Sequence, residues 1–312
     1  MEKILVIAPQ FLGDGILSVP FFRNLRHHYK AAQIDAITKN AGKLVLGKVP
    51  YIDNVYDLKT TKKDFIKKQK YSKVYILKRS LSALMLVLGC GIKQKIGFSG
   101  QFRKPFLSKP VKYLANQKHE LECFFDILKA DRVDIIDDKL EYFVQEEAQE
   151  SVQKYLPEGK KALIVACAST KVKEWSQENF AKVAESLKAQ GYSIYFVGLK
   201  SEKAYCEGIV QGEGVYNLCG ELSFDESVAL VSKMDLAVGI DSGFCHLASA
   251  FGVKTITLFG PMSPVQWGLL GQHSVNISVG LSCSPCKKPP KCEINFECMK
   301  KITPEDVISK LY

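Results

Sequence analysis

Val238-Gly239-Ile240-Asp241-Ser242-Gly243-Phe244-Cys245-His246-Leu247-Ala248-Ser249-Ala250-Phe251-Gly252, running on through Thr255-Ile256-Thr257-Leu258-Phe259-Gly260-Pro261, reads as strand, tight turn, helix and second strand. Two short apolar runs joined by a helix of small residues form the crossover unit of a parallel sheet. At the helix start the free N–H groups of residues 242–244 make an anion site, to which the helix dipole adds. His246 stands one turn in, within reach of the same anion; a satisfied structural histidine is the commoner role for such a residue. In this setting Asp241-Ser242-Gly243 points to the phosphate of a nucleotide.

Outward from that stretch the same alternation fills the chain. In the first half strands are predicted at 3–8, 33–38, 54–58, 73–77 and 95–98. Helices are predicted at about 15–29, 40–47, 61–70, 80–88 and 118–130. After the breaker Leu156-Pro157-Glu158-Gly159 a second series begins. Its strands are predicted at 162–167, 193–198, 215–217, 236–239 and 255–259, and its helices at about 177–190, 201–211, 224–233 and 243–251, with a last one after Thr303-Pro304-Glu305. Ser176 with Asn179, and Ser223 with Glu226, mark helix starts, the second at capping-box spacing. Two α/β series predict two Rossmann-like domains facing across a cleft, residues 1–145 and 146–312. A length of 312 residues also exceeds the usual size of one core.

Composition narrows the class. Apolar content of 46% and charged content of 24% are those of a soluble globular protein, so no metal or disulfide staple is required for a core. The longest apolar run, around residues 81–90, is about half of the ~20 residues that span a bilayer. The opening Met1-Glu2-Lys3-Ile4-Leu5-Val6-Ile7 is too short an apolar stretch for a signal peptide and reads as a first strand. Residues 1–145 carry 26 Lys and Arg against 14 Asp and Glu, whereas the remainder carries 17 against 19. The first half therefore holds all of the net charge of +10 and suits an anionic partner, a phosphorylated substrate or an acidic membrane surface. No aromatic signature of RNA binding accompanies those lysines, and nucleic acid is the least supported partner.

Two further loops carry chemistry. The first strand runs into Ala8-Pro9-Gln10-Phe11-Leu12-Gly13-Asp14-Gly15, where a dinucleotide fold would show G-x-G-x-x-G; it does not. Asp14 is read either as a helix cap, favoured by position alone, or as a carboxylate able to take a proton from an attacking hydroxyl. In Val165-Ala166-Cys167-Ala168-Ser169-Thr170-Lys171-Val172-Lys173-Glu174-Trp175, small hydroxyl residues such as Ser169 permit close backbone approach. Lys173 there offers a point charge for phosphate, or is an exposed lysine beside a packing tryptophan.

These motifs together resemble glycosyltransferase family 9, the ADP-heptose:lipopolysaccharide heptosyltransferases, over nearly the whole chain. The matching residues are Leu12-Gly13-Asp14, Lys173 with Trp175, Asp241-Ser242-Gly243 with His246-Leu247-Ala248, and Leu258-Phe259-Gly260-Pro261 with Trp267-Gly268. The cysteine segment from Cys283-Ser284-Pro285-Cys286 to Cys298-Met299, followed by Ile302-Thr303-Pro304-Glu305, completes the match. The resemblance implies a GT-B fold and inverting, metal-independent transfer of heptose from ADP-L-glycero-D-manno-heptose to the lipopolysaccharide inner core. It also implies a cytoplasmic protein, peripheral at the inner face of the inner membrane, with an acceptor-binding first domain and a donor-binding second. Asp14 then matches the general base and Lys173 the lysine near the donor phosphates. Asp241, Ser242, Gly243 and His246 match the donor loop, and Glu202 the acidic residue at the nucleoside ribose. Pro9-Gln10-Phe11 departs from the small polar residues frequent at that turn.

Other readings stand beside this one: a glycosyltransferase with another nucleotide-sugar donor, and a nucleotide-sugar epimerase on the same fold. No cofactor is required for the transfer. Of ten cysteines, Cys283, Cys286, Cys292 and Cys298 form C-x2-C-x5-C-x5-C, a spacing that suits structural zinc, labile disulfides or a plain cysteine-rich loop.

Overall fold

A computed structural model describes residues 1–168, 170–286 and 292–311. The chain divides into two compact units, Met1–Phe143 and Val144–Tyr312. In the first, β1 (Lys3–Ile7), β2 (Gln33–Thr38), β3 (Asn54–Asp57), β4 (Lys73–Ile76), β5 (Gln94–Phe98) and β6 (Lys109–Val111) form one sheet. All pairings are parallel and the order is β3-β2-β1-β4-β5-β6. Ile4, Leu5, Val6 and Ile7 of β1 are fully buried, as expected of a central strand with helices on both faces.

The second unit repeats the plan. Its strands are β7 (Lys160–Val165), β8 (Tyr192–Phe196), β9 (Val215–Asn217), β10 (Leu236–Ile240), β11 (Lys254–Leu258) and β12 (Ser274–Ile277). They are again parallel, in the order β12-β11-β10-β7-β8-β9. Each sheet reverses its strand order once, between β1 and β4 in the first unit and between β7 and β10 in the second. At such a switch point the loops leaving the two strands part to opposite faces and leave a crevice at the carboxyl edge.

Three differences from the predicted elements have local causes. The helix expected at 15–29 is two, Leu12–Leu17 and Val19–His28, parted at Ser18. Pro20 has no N–H to give the carbonyl four residues back, so one continuous ladder cannot form. Strands β6 and β12 were not expected. Both are edge strands of three and four residues; β6 contains Pro110, and β12 is half-exposed, so neither carries a strong apolar pattern. The capping box at Ser223 and Glu226 forms as predicted, and Ser176 accepts from the Asn179 N–H at 3.2 Å.

Packing away from the carboxyl edges stabilises each unit. Trp175 is buried edge-on against Phe180, and its indole N–H donates to the Ile302 carbonyl at 2.9 Å, tying the C-terminal segment to the core. At the opposite edge of the first sheet Asp131 accepts from Lys109 at 2.6 Å and also from Lys73, Tyr75 and Tyr29. Burial raises its carboxyl, but the hydrogen bonds from Lys109, Lys73 and Tyr75 outweigh that and hold it below the usual range.

Candidate active site

In the second unit the switch point is built from the loop after β7 and the turn after β10. Gly239 makes the close approach possible. A Cβ there would stand 2.5 Å from Val165 Cβ and 2.6 Å from the Val165 carbonyl oxygen. Beyond it, Asp241 N–H donates to the Leu258 carbonyl at 3.2 Å, and Ser242 takes an extended conformation as the residue before the helix Gly243–Ala250. The first helical N–H groups therefore open onto the crevice.

Asp241 is the centre of the cluster. It is 6% exposed, and Lys173 Nζ lies 2.6 Å from its Oδ2 and 3.1 Å from its main-chain oxygen. His246, 3% exposed, places Nε2 3.8 Å from Asp241 Oδ1. Burial pushes the Asp241 carboxyl up; the hydrogen bond from His246 and the charge of Lys173 outweigh this and hold it below the ordinary aspartate range. Ser242 Oγ and His246 Nδ1 are buried and have no partner among the described residues. A buried polar atom without a partner costs about 1–3 kcal/mol, so a group that supplies the missing bonds is favoured there.

The structure thus brings Lys173, Asp241, Ser242, Gly243 and His246 together. Glu202, at the carboxyl side of β8, spends Oε2 on the Leu199 N–H at 2.7 Å, a local backbone bond. Ser169 lies outside the described residues. Cys286 N–H donates to the Pro261 carbonyl at 2.8 Å and Ser284 Oγ to the Gly260 carbonyl, which seats the cysteine segment beside the end of β11. Among the described residues no three of His, Cys, Asp and Glu gather in a group that could hold a metal ion, so the zinc expectation rests on spacing alone.

In the first unit Asp14 does not cap its helix. The cap position is Phe11, and Asp14 sits in the first turn of Leu12–Leu17, half-buried and lining a recess. Sequence reading passed over two residues that share this recess, Lys78 and Arg79. They directly follow a predicted strand, which with the switch-point rule was signal enough to find them.

Glycosyltransferase family 9 (heptosyltransferase) matches residues 61–296. The chain belongs to this family. The family 9 chain is 25% identical to the lipooligosaccharide heptosyltransferase 2 of Haemophilus influenzae, over 84% of each chain. Among solved structures it is similar to the Escherichia coli ADP-heptose lipopolysaccharide heptosyltransferase II, with a TM-score of 0.80 and 21% identity over 99% of this chain and 97% of that one. It is also similar to a family 9 glycosyltransferase from Veillonella parvula, with a TM-score of 0.86 and 21% identity over 99% and 96%. The GT-B fold is therefore shared, and membership carries the transferase reading over the epimerase one.

Proposed function

We propose that this family 9 transferase moves heptose from ADP-L-glycero-D-manno-heptose to the lipopolysaccharide inner core, with inversion and without a metal ion. The observation that carries the donor half is the cluster of Lys173, Asp241, Ser242 and His246 at the N-terminus of Gly243–Ala250. A diphosphate seated there accepts from the helix N–H groups and from Ser242 Oγ, while the Lys173 ammonium stands close by. With Nε2 turned to Asp241, His246 offers Nδ1 to a ligand hydroxyl.

The chemistry follows from those parts. The acceptor hydroxyl oxygen forms a bond to the anomeric carbon from the face opposite the phosphate. The bond from that carbon to the phosphate oxygen breaks, and ADP leaves with the electron pair. The hydroxyl proton passes to Asp14. Negative charge grows on the departing phosphate, where one positioned donor is typically worth ~3–4 kcal/mol, so helix N–H groups and Lys173 suffice in place of a cation.

That the similar Escherichia coli enzyme is an ADP-heptose lipopolysaccharide heptosyltransferase supports this donor and acceptor. No helix of the described residues is long and apolar enough to cross a membrane. The excess of basic residues in the first half suits peripheral contact with the cytoplasmic face of the inner membrane, where an acceptor of this class is exposed. The test is incubation with ADP-heptose and heptose-deficient lipopolysaccharide in the presence of a chelator. ADP release matched by one heptose of added acceptor mass is expected. ADP release with an unchanged acceptor would overturn transfer to that acceptor, and activity only after adding a divalent cation would overturn metal independence.

A further inference from the structure

Residues 65–119 carry thirteen Lys and Arg and no Asp or Glu. Some of those cations are answered from outside the span, Lys73 and Lys109 by Asp131 and Lys118 by Asp126, and Arg103 is buried. Within the span the helices Lys63–Gln69 and Leu81–Val87 share one layer: Ile66 of the first and Ala83, Leu84 and Val87 of the second enter the same core. The Cys90 thiol donates to the Lys63 carbonyl at 3.7 Å, so the start of the first helix adjoins the end of the second. What the two helices turn outward differs in kind. Lys63, Lys67 and Lys68 are exposed on the first, beside one carboxylate, Asp64. On the second, Leu81 and Met85 stand one turn apart on one side, 42% and 48% exposed.

The loop after β5 continues the apolar side. Gln101 Oε1 accepts from the Leu81 N–H at 3.1 Å, and the buried Arg103 guanidinium donates to the carbonyls of Lys78 at 2.6 Å and Ser80 at 3.2 Å. Those bonds seat residues 101–103 against the start of the helix Leu81–Val87. Phe102 is 94% exposed and Phe106 50%, with Lys104 exposed between them. Gln101 and Phe102 both have left-handed backbones, with φ of 54° and 59°. That conformation is unfavourable for any residue with a Cβ. Here a buried arginine stabilises it, and the ring it orients stands in water. A ring held outward on a strained turn serves contact with something outside the chain.

We propose that Phe102 and Phe106, with Leu81 and Met85 beside them, are the surface by which the chain lies on an acidic lipid bilayer. The rings enter the headgroup region, while Lys104 and the lysines of the helix Lys63–Gln69 face anionic phosphates. The inference deepens the peripheral contact proposed above and rests on it. Charge decides for a lipid surface over a protein one. Lysine is depleted at protein interfaces, whereas aromatic and aliphatic side chains bordered by lysine are the pattern of segments lying in a membrane interface. Each lysine near an anionic surface adds attraction, and no carboxylate within residues 65–119 opposes it.

The test sediments the full chain with vesicles of phosphatidylcholine alone and of equal parts phosphatidylcholine and phosphatidylglycerol. Wild type is expected to bind the acidic vesicles, and Phe102→Ser and Phe106→Ser to bind them more weakly by about tenfold or more. Ile136→Ser, which removes an apolar side chain 52% exposed beside the helix Val19–His28, keeps wild-type binding. Phe102→Trp reports insertion directly, its added emission shifting to the blue on acidic vesicles and not on phosphatidylcholine. Wild type that binds neither vesicle overturns the surface and the peripheral contact together. Wild-type binding matched by both serine variants, an equal loss in Ile136→Ser, or an unshifted Phe102→Trp emission overturns the surface alone. Transfer is read separately on deacylated core oligosaccharide in solution, where the serine variants keep wild-type kcat/KM; a loss there equal to the loss of vesicle binding also overturns the surface. No product from the wild type on that acceptor counts against the transferase reading and leaves the vesicle result standing.

Discussion

The two units carry the same sheet order, yet their switch points hold charge in different ways. In Val144–Tyr312 the cation is neutralised in place, Lys173 on Asp241, and the groups left without partners are Ser242 Oγ and His246 Nδ1. In Met1–Phe143 the cations Lys78 and Arg79, anchored through Arg103 and the ring of Tyr113, share a recess with Asp14 and Glu120 and make no ion pair among the described residues. One fold thus presents different side-chain chemistry at its two carboxyl edges through what its loops place there.

The largest break in this comparison comes from removing one member at each edge. Asp14→Asn is expected to lower kcat by ~10²–10⁴ while KM for ADP-heptose stays near the wild-type value. Unchanged turnover would remove Asp14 as the base. Lys173→Met should lower kcat/KM by ~10²–10³ and, because it strands the buried Asp241 carboxylate, also lower stability by ~3–5 kcal/mol in urea unfolding. Steady-state kinetics with the acceptor held saturating separates the two variants.

Smaller effects sharpen the picture. Gly239→Ala forces the turn away from Val165 and should cost ~1–3 kcal/mol of stability, read as a lowered urea midpoint. Arg103→Met removes the guanidinium from the main-chain carbonyls of residues 78, 80 and 98 and should cost ~1–3 kcal/mol, read as a lowered urea midpoint. The smallest concerns acid. Asp241 and Asp131 both have folded-state carboxyls below their unfolded value of 3.8. Stability from each is therefore fully present above that pH and is lost as pH falls through the folded-state value. Unfolding midpoints should hold from pH 7 to about 5 and drop below about 4, with a shallower drop in Asp131→Asn.

The central strands were legible because parallel strands buried on both faces are plain apolar runs: β2 and β9 fall on the predicted residues. What was hidden lacked that signal, as with β6, three residues with a proline, and β12, half in solvent. The turn at Asp241–Gly243 was legible because strand, turn and helix constrain one another. The pairing of Lys173 with Asp241 was not, since it joins residues 68 apart through the adjacency of β7 and β10. Lys78 and Arg79 were lost among many lysines until the sheet order singled them out. Glu202 shows the converse: an acidic residue at a promising edge whose carboxylate oxygen is given to its own backbone.

The division of labour between the two switch points is tested most directly by calorimetric titration of ADP alone into wild type, Asp14→Asn and Lys173→Met. The account predicts wild-type affinity in Asp14→Asn and an affinity weaker by about tenfold or more in Lys173→Met. Loss of ADP binding in Asp14→Asn, with binding retained in Lys173→Met, would contradict it.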